Sequence, residues 1–236
     1  MSTPNTTNWI RAGLLGLPIS GALTFWSSTD PQPDPNVNYE AWSRFATTNH
    51  YVLGHVFGSI LGLILAIFGT FALGAYLTRS RAGRMGLWAM VTTVFGSALF
   101  LPGMGISTFA APKQGQAYLA GIEEFAKLPD IFADTVFALT SLLMVLLIFA
   151  GNVLLGVAVW RSRTLPKLAG VMWAAAAVLM YPMGLVYEAT IGPQSTPPTV
   201  LVGAALMVAG GGWIALRAMR RPSVKATGVH AEPSVQ

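Results

Sequence analysis

The stretch HVFGSILGLILAIFGTFALGAYLTRSR, residues 55–81, decides the class of fold. No charged side chain lies between His55 and Arg79, and this distance exceeds the roughly 20 helical residues that cross a hydrocarbon core. Small residues recur along it at spacings of three and four, a pattern that lets helix backbones approach closely in lipid. This ridge consists of Gly54, Gly58, Gly62, Ala66 and Gly69. The stretch therefore predicts a membrane-spanning helix that packs through its glycines and ends in a basic turn.

The rest of the chain has the same character. Of its 236 residues, 53% are hydrophobic and 10% are charged, against about 25% charged in a soluble domain. The absence of cysteine excludes disulfides, thiolate metal sites and cysteine nucleophiles. We predict an all-α membrane protein with a single six-helix domain over 1–221 and a disordered tail over 222–236. The six segments run over about 10–27, 50–77, 85–110, 130–160, 168–189 and 199–218.

The basic residues predict the orientation. Eleven of the 14 lie at segment ends that would share one side with both termini, whereas eight of the nine acidic residues lie on the other side. Because positive charge marks the cytoplasmic side, both termini are predicted to be cytoplasmic, in a plasma-membrane protein. The same distribution argues against nucleic-acid binding. The eleven are Arg11, Arg79, Arg81, Arg84, Arg161, Arg163, Lys167, Arg217, Arg220, Arg221 and Lys225.

Two segments of the sequence are similar to each other. AIFGTFALGAYLTRSR, residues 66–81, shares six identities with IFAGNVLLGVAVWRSR, residues 148–163, including both glycines and R-S-R. A short turn and another helix with an outer proline, Pro102 or Pro182, follow each segment. We predict a repeated helical hairpin, formed by helices 2–3 and 4–5 and related by an axis along the membrane normal.

Polar residues near the outer ends of the segments form the candidate site. The proline kinks favour a cavity there, lined by His55, Asp134 and Glu188 together with Met104 and Tyr181. Such a cavity would bind a small lipophilic ligand. The competing interpretation is that these polar side chains only mark helix ends at the headgroup level, since each lies about 30 Å or more from the inner basic residues at 1.5 Å per residue.

Metal and haem chemistry are the weaker alternatives. His50 and His55 are five residues apart, about 140° around an α-helix, so they are not expected to bind one ion together. A mixed site of His55, Asp134 and Glu188 or a haem with one histidine ligand stays open, but no cofactor is predicted. His50 is expected to lie in water.

Asn152 lies deep in the inner half of the fourth segment. A polar side chain at that depth needs a partner. We predict a hydrogen bond to a neighbouring helix.

The turn WRSRTLP, residues 160–166, leads into AGVMWAAAAVL. Together with a short first helix and an acidic outer loop, this pattern resembles bacterial six-helix integral membrane proteins whose activity is uncharacterised. The resemblance implies topology and no activity, so no site residues are carried over.

Three functions remain open at this point. The first is binding of a small lipophilic ligand near the outer leaflet. The second is an intramembrane enzyme that acts on an isoprenoid, quinone or lipid, resembling terpene cyclases, with Asp134, Glu188 or His55 as its acid. The third is a non-catalytic accessory subunit that packs in the bilayer against a partner subunit or a second copy.

Overall fold

The computed structural model describes residues 6–30, 32–124, 134–191 and 197–220. These ranges form helices joined by turns and contain no β-strand, which confirms the predicted all-α class. Two π-helical segments, Gly54–Leu61 and Ile106–Ala110, join α4 to α5 and α6 to α7. The predicted tail, 222–236, lies outside the described residues. The helices are α1 Thr6–Gly13, α2 Gly16–Ser27, α3 Tyr39–Ala46, α4 Asn49–Leu53, α5 Gly62–Leu77, α6 Gly83–Gly105, α7 Ala111–Leu119, α8 Thr135–Arg161, α9 Lys167–Met180, α10 Pro182–Ile191 and α11 Pro198–Met219.

Five stretches of helix in the described part of the chain are long and apolar enough to cross a membrane. They correspond to the second to sixth predicted segments, which are confirmed as candidate spans by length and composition. The third predicted segment, 85–110, continues in the structure to Leu119. Pro112 permits this, because it falls in the first turn of α7, where no N–H is needed. The five stretches are Asn49–Leu77, Gly83–Leu119, Thr135–Arg161, Lys167–Ile191 and Pro198–Met219.

The first predicted segment, 10–27, is divided into α1 and α2 by a turn at residues 14 and 15. Pro18 explains the turn, since its ring crowds the carbonyl four residues earlier, that of Leu14, and it has no N–H to donate. The N–H of Leu17 bonds to the Leu14 carbonyl at 3.2 Å instead. Neither half is long enough to be a candidate span by itself.

The long helices form a closed ring. In order around it, α2 packs on α5, α5 on α6, α6 on α8, α8 on α9, α9 on α11, and α11 on α2. The main hydrophobic core lies at one end of this ring, next to the two basic turns. Its largest fully buried members are Leu14, Leu17, Leu73, Leu77, Leu155, Val159 and Ile214. The end of the bundle that carries the basic turns, which we call the inner end, is therefore its tightly packed part.

Glycines set the distance between neighbouring helices. A Cβ added to Gly156 on α8 would lie 2.6 Å from the carbonyl oxygen of Gly170 on α9, and one added to Gly151 would lie 2.6 Å from the amide nitrogen of Thr93 on α6. Backbone atoms cannot yield to such a contact as a flexible side chain would. The close packing of α8 on α6 and α9 therefore requires glycine at these two positions.

The predicted glycine ridge of 54–69 is confirmed in part. Gly58 and Gly62 face α2, and a Cβ on Gly69 would lie 2.8 Å from the amide nitrogen of Leu17. The prediction is wrong for Gly54, which has nothing within 4 Å of an added Cβ. The π-helical segment begins at Gly54, so the regular spacing of the ridge does not extend to that residue.

Asn152 has the predicted partner on a neighbouring helix. Its Oδ1 accepts a hydrogen bond from Trp173 Nε1 on α9 at 3.0 Å, and its Nδ2 donates to the Ile148 carbonyl at 2.9 Å. Both side chains are buried, 8% and 2% exposed. The prediction of a helix-packing hydrogen bond at this depth is confirmed.

The two R-S-R turns make corresponding hydrogen bonds. In each, the serine N–H bonds to the carbonyl three residues earlier, at 2.8 Å for Ser80 and 3.2 Å for Ser162. Each serine hydroxyl accepts from the N–H two residues later, at 3.1 and 3.2 Å. Arg163 then has a φ of 57°, in the left-handed region, which costs a residue with a side chain about 1–2 kcal/mol.

Gly156→Ala should lower the free energy of unfolding by about 1–3 kcal/mol, because the new methyl group meets backbone atoms of α9. Thermal unfolding in mild detergent measures this loss. Gly103→Ala is the matched control, since nothing lies within 4 Å of a Cβ at Gly103. That control should lose no stability, and a gain of up to about 1 kcal/mol is expected from helix propensity. Equal losses in the two variants would contradict the packing role of Gly156.

Candidate functional site

The sequence-predicted site residues lie at different places around the ring. Met104 is on α6, and Tyr181 joins α9 to α10, so α8 stands between their helices. Asp134 is exposed, and its Oδ1 accepts from the N–H of Phe137 at 2.9 Å, the bond of a helix N-cap. For Glu188 the structure describes only the backbone, within α10. Of the predicted set, His55 is the residue that lines a described cavity.

This cavity lies where the end of α2 meets α4 and the first π-helical segment, opposite the basic turns. Its volume is about 20 Å³, enough for one water-sized group. Both histidines of this region line it, together with aromatic and acidic side chains from elsewhere in the chain. We call it the outer cavity. It is lined by Trp26, Ser27, Asp30, Gln32, Phe45, His50, Tyr51, Gly54 and His55.

Asp30 and Trp26 hold His50 at the outer cavity. The Nε2 of His50 bonds to Oδ2 of Asp30, twenty residues earlier in the chain. The Trp26 and His50 rings are also in contact, with centroids 6.5 Å apart and ring planes at 81°. The His50 side chain is 56% exposed, so it faces water as the sequence predicted, and it is in addition paired with Asp30.

Tyr51 fixes the position and the tautomer of His55. The two rings lie 4.0 Å apart at an angle of 30°, and His55 Nδ1 lies 2.9 Å from the Tyr51 carbonyl oxygen. A carbonyl only accepts, so Nδ1 carries the proton. In the neutral imidazole, Nε2 is then the acceptor, available to a hydroxyl or another donor.

The phenol of Tyr51 joins α4 to the second π-helical segment. Its hydroxyl donates to the backbone carbonyl of Ser107 at 3.0 Å, across 56 positions of sequence. In the second segment, Thr108 Oγ1 donates to the carbonyl of Met104 at 2.6 Å. π-helical turns are rare and often occur at functional sites. Here the two segments contact each other, and the first lines the outer cavity at Gly54 and His55.

His50 and His55 both line the outer cavity, although five residues place them about 140° apart on an α-helix. Each imidazole has a different partner, the Asp30 carboxylate for His50 and the Tyr51 carbonyl for His55. The first π-helical segment begins at Gly54, so most of the interval between the two histidines is α-helical. The two side chains thus line one cavity from different positions along the helix.

A second, smaller core supports the cavity from the outside. Helices α3 and α7 pack on each other, where a Cβ on Gly115 would lie 3.0 Å from the Ser43 carbonyl oxygen. Phe45 of α3 meets the Tyr51 ring edge-on at 5.7 Å. At the far end of α3, Tyr39 contacts Tyr118, with centroids 4.8 Å apart. Partial burial, and secondarily Tyr118, raise the pKa of Tyr39, so its phenol is neutral at physiological pH.

The outer cavity offers hydrogen-bonding groups and no described metal-ligand set. Within residues 6–30, 32–124, 134–191 and 197–220, no three His, Asp or Glu side chains converge to hold a metal ion. Its lining includes the His55 imidazole, the His50–Asp30 pair and the Trp26 indole. Such a set suits a small polar group attached to an apolar body.

Sequence reasoning missed Asp30, Trp26 and Tyr51 as parts of this site. In the sequence, Asp30 is one of several acids in a proline-rich loop, and Tyr51 is an aromatic residue between two histidines. The usable signal was that HYVLGH crowds two imidazoles and a phenol into six residues beside a glycine.

The fold and the cavity together define a helical protein with five candidate membrane spans and a small polar cavity at one end. Comparison with known proteins gives no match to a family model, a curated protein or a solved structure.

Tyr51→Phe should lower the free energy of unfolding by roughly 1 kcal/mol, because the bond between the Tyr51 hydroxyl and the Ser107 carbonyl is lost. Chemical or thermal unfolding in detergent measures this difference. Tyr76→Phe, at a partly buried tyrosine packed against the main core, is the matched control and should change stability less. If both variants lose the same stability, the bond between α4 and the second π-helical segment contributes nothing specific.

Proposed function

We propose that this chain is a plasma-membrane protein with six spans and cytoplasmic termini, which binds a small lipophilic ligand near the outer leaflet through a polar group about the size of a water molecule. The observation that carries the ligand proposal is the outer cavity, where His50, His55 and Trp26 meet. The topology rests on the five candidate spans and the distribution of basic residues.

Packing supports a sixth span formed by α1 and α2 together. The pair covers residues 6–27, which is about 33 Å of helix at 1.5 Å per residue, close to the thickness of a hydrocarbon core. It fits between α5 and α11, where added Cβ atoms on Gly21 and Gly211 would meet the backbone of the opposing helix at 2.9 and 3.1 Å. A segment that forms part of the ring in this way is expected to cross the membrane with its neighbours.

Corresponding glycines support the repeated hairpin. Gly69 and Gly151, 82 positions apart, each face the helix that precedes their own in the ring, α2 and α6. Gly74 and Gly156, also 82 apart, each face the helix that comes next in the ring, α6 and α9. Together with the corresponding R-S-R turns, this equivalence favours duplication of one hairpin.

The surroundings of the outer cavity favour a ligand with an apolar body. Elements that line the cavity also expose large apolar side chains, and in a membrane such side chains face lipid. Phe25 and Trp26 on α2 are 41% and 42% exposed, and Leu53 and Phe57 beside His55 are 49% and 45% exposed. A polar group bonded at His55 would leave the ligand's apolar body along this surface.

Single cysteines test the topology, since the chain has none of its own. In intact cells an impermeant thiol reagent should label Val37→Cys, which replaces an 81% exposed side chain in the outer loop. Arg79→Cys in the first basic turn and Ser2→Cys near the N-terminus should react only after the membrane is opened. Labelling of Ser2→Cys in intact cells would show that α1 and α2 do not cross.

His55→Ala and His50→Ala should reduce retention of the ligand about tenfold each, because each removes one hydrogen-bonding group from the cavity. The measurement is native mass spectrometry of protein purified in mild detergent, followed by extraction and quantification of bound lipophilic compounds. Asp134→Asn is the control, since it removes an outer charge, keeps a good N-cap and lies outside the cavity lining.

Three outcomes would contradict the proposal. They are wild-type protein that carries no lipophilic compound, histidine variants that retain it at the wild-type level, and an equal loss in Asp134→Asn. A chemically altered compound in membranes that contain the wild-type protein would favour the intramembrane enzyme instead. A stoichiometric protein partner without a bound lipophilic compound would favour the accessory subunit.

A further inference from the structure

The opposite end of the bundle contains a groove of different chemistry. It lies between the two basic turns, has a volume of about 630 Å³, and five of its eight lining residues are basic. All five side chains are exposed. We call it the inner groove. Its basic residues are Arg81, Arg84, Arg161, Arg163 and Lys167, and Trp160 lines the same space.

The sequence leaves these charges without acidic residues nearby in the chain. No Asp or Glu occurs between Glu40 and Glu123, or between Asp134 and Glu188, and these intervals contain both basic turns. Orienting the membrane protein requires positive charge on this side, but does not require that charge to converge on one groove. Five cations around a single space favour an anionic occupant.

Arginine is the preferred residue for recognising phosphate. Its planar fork donates two parallel hydrogen bonds to phosphate oxygens, which a lysine ammonium does not. Four of the five basic residues here are arginines. The chemistry of the groove therefore matches an oxyanion such as a phosphate group better than a halide.

Apolar side chains at the groove distinguish a lipid from a free phosphate. Trp160 is 49% exposed beside the arginines, and Met85 lines the same space. A second groove of about 550 Å³ shares Arg163 and continues past Trp213 and Leu216, which are 43% and 52% exposed. Tryptophan and leucine next to arginine are typical of the boundary between head groups and acyl chains.

Arg163 lines both grooves, and its backbone has an unusual conformation. Its left-handed φ of 57° is maintained by Ser162, whose buried hydroxyl donates to the Val159 carbonyl at 2.7 Å and accepts from the Leu165 N–H at 3.2 Å. A residue held in a sparsely populated conformation often has a functional role. Here the conformation places one arginine on the border of both grooves.

We propose that the inner groove binds the phosphate of an anionic phospholipid head group, with Arg84 and Arg161 among its ligands and Trp160 at the start of the acyl chains. Basic pockets between spans on the cytoplasmic side bind such head groups in membrane proteins. The site lies at the other end of the bundle from the outer cavity and does not depend on the ligand proposed there.

The test is a titration of phosphatidylglycerol into the full-length protein in neutral detergent, followed by native mass spectrometry. The variant Arg84→Gln/Arg161→Gln should bind this lipid about 30-fold more weakly, since each basic residue near the surface contributes about fivefold. The control Arg79→Gln/Lys225→Gln removes the same amount of positive charge. Arg79 lines neither groove, and Lys225 belongs to the predicted tail. The control should lose less than about threefold, since exposed charges away from the groove act only through a screened attraction.

Phosphatidylcholine and inorganic phosphate complete the test. The zwitterionic lipid should bind weakly to all variants, and inorganic phosphate at the lipid's concentration should not displace phosphatidylglycerol. An equal loss in the two double variants would show general attraction to the basic side, which overturns the site. Displacement by inorganic phosphate would overturn its assignment to a lipid. The melting temperature of each variant, expected to be unchanged, shows that the exposed substitutions leave the fold intact.

Discussion

The distance between helix backbones is the constraint on which the rest of this structure depends. In lipid there is little hydrophobic drive to bring helices together, so close packing at small residues and buried hydrogen bonds must hold them. Gly151 and Gly156 let α8 approach α6 and α9, and the bond from Trp173 to Asn152 fastens the second of these interfaces. These contacts fix the order of helices in the ring, and the order fixes which polar side chains meet.

The two ends of the ring differ because they are packed differently. At the inner end the main core fills the space between helices, and the basic side chains are left outside it, where they surround a groove. At the outer end α2 lies against the first π-helical segment, so Trp26 and Asp30 reach the histidines. The outer cavity is small and uncharged apart from the His50–Asp30 pair, whereas the inner groove is wide and cationic. Each is therefore suited to a different class of molecule.

Much of the fold was predictable because it depends on local composition. The five long spans, the buried partner of Asn152 and the packing of Gly58 and Gly69 follow from apolar length and small-residue spacing. The turn at residues 14 and 15 was missed, although Pro18 indicates it, because the apolar run continues through this turn. The lining of the outer cavity other than His55 was missed, because no spacing rule links Asp30 to a histidine twenty positions away.

The π-helical segment Gly54–Leu61 has a consequence for how one continuous helix meets its neighbours on either side. An i to i+5 turn takes up one more residue than an α-helical turn, so it changes the register of the helix on one side relative to the other. On the α5 side, Gly62 and Gly69 keep their faces against α2, and on the α4 side Tyr51 keeps its hydrogen bond to Ser107. The segment thereby reconciles two packing registers within one helix, one set by the glycines and one set by the tyrosine.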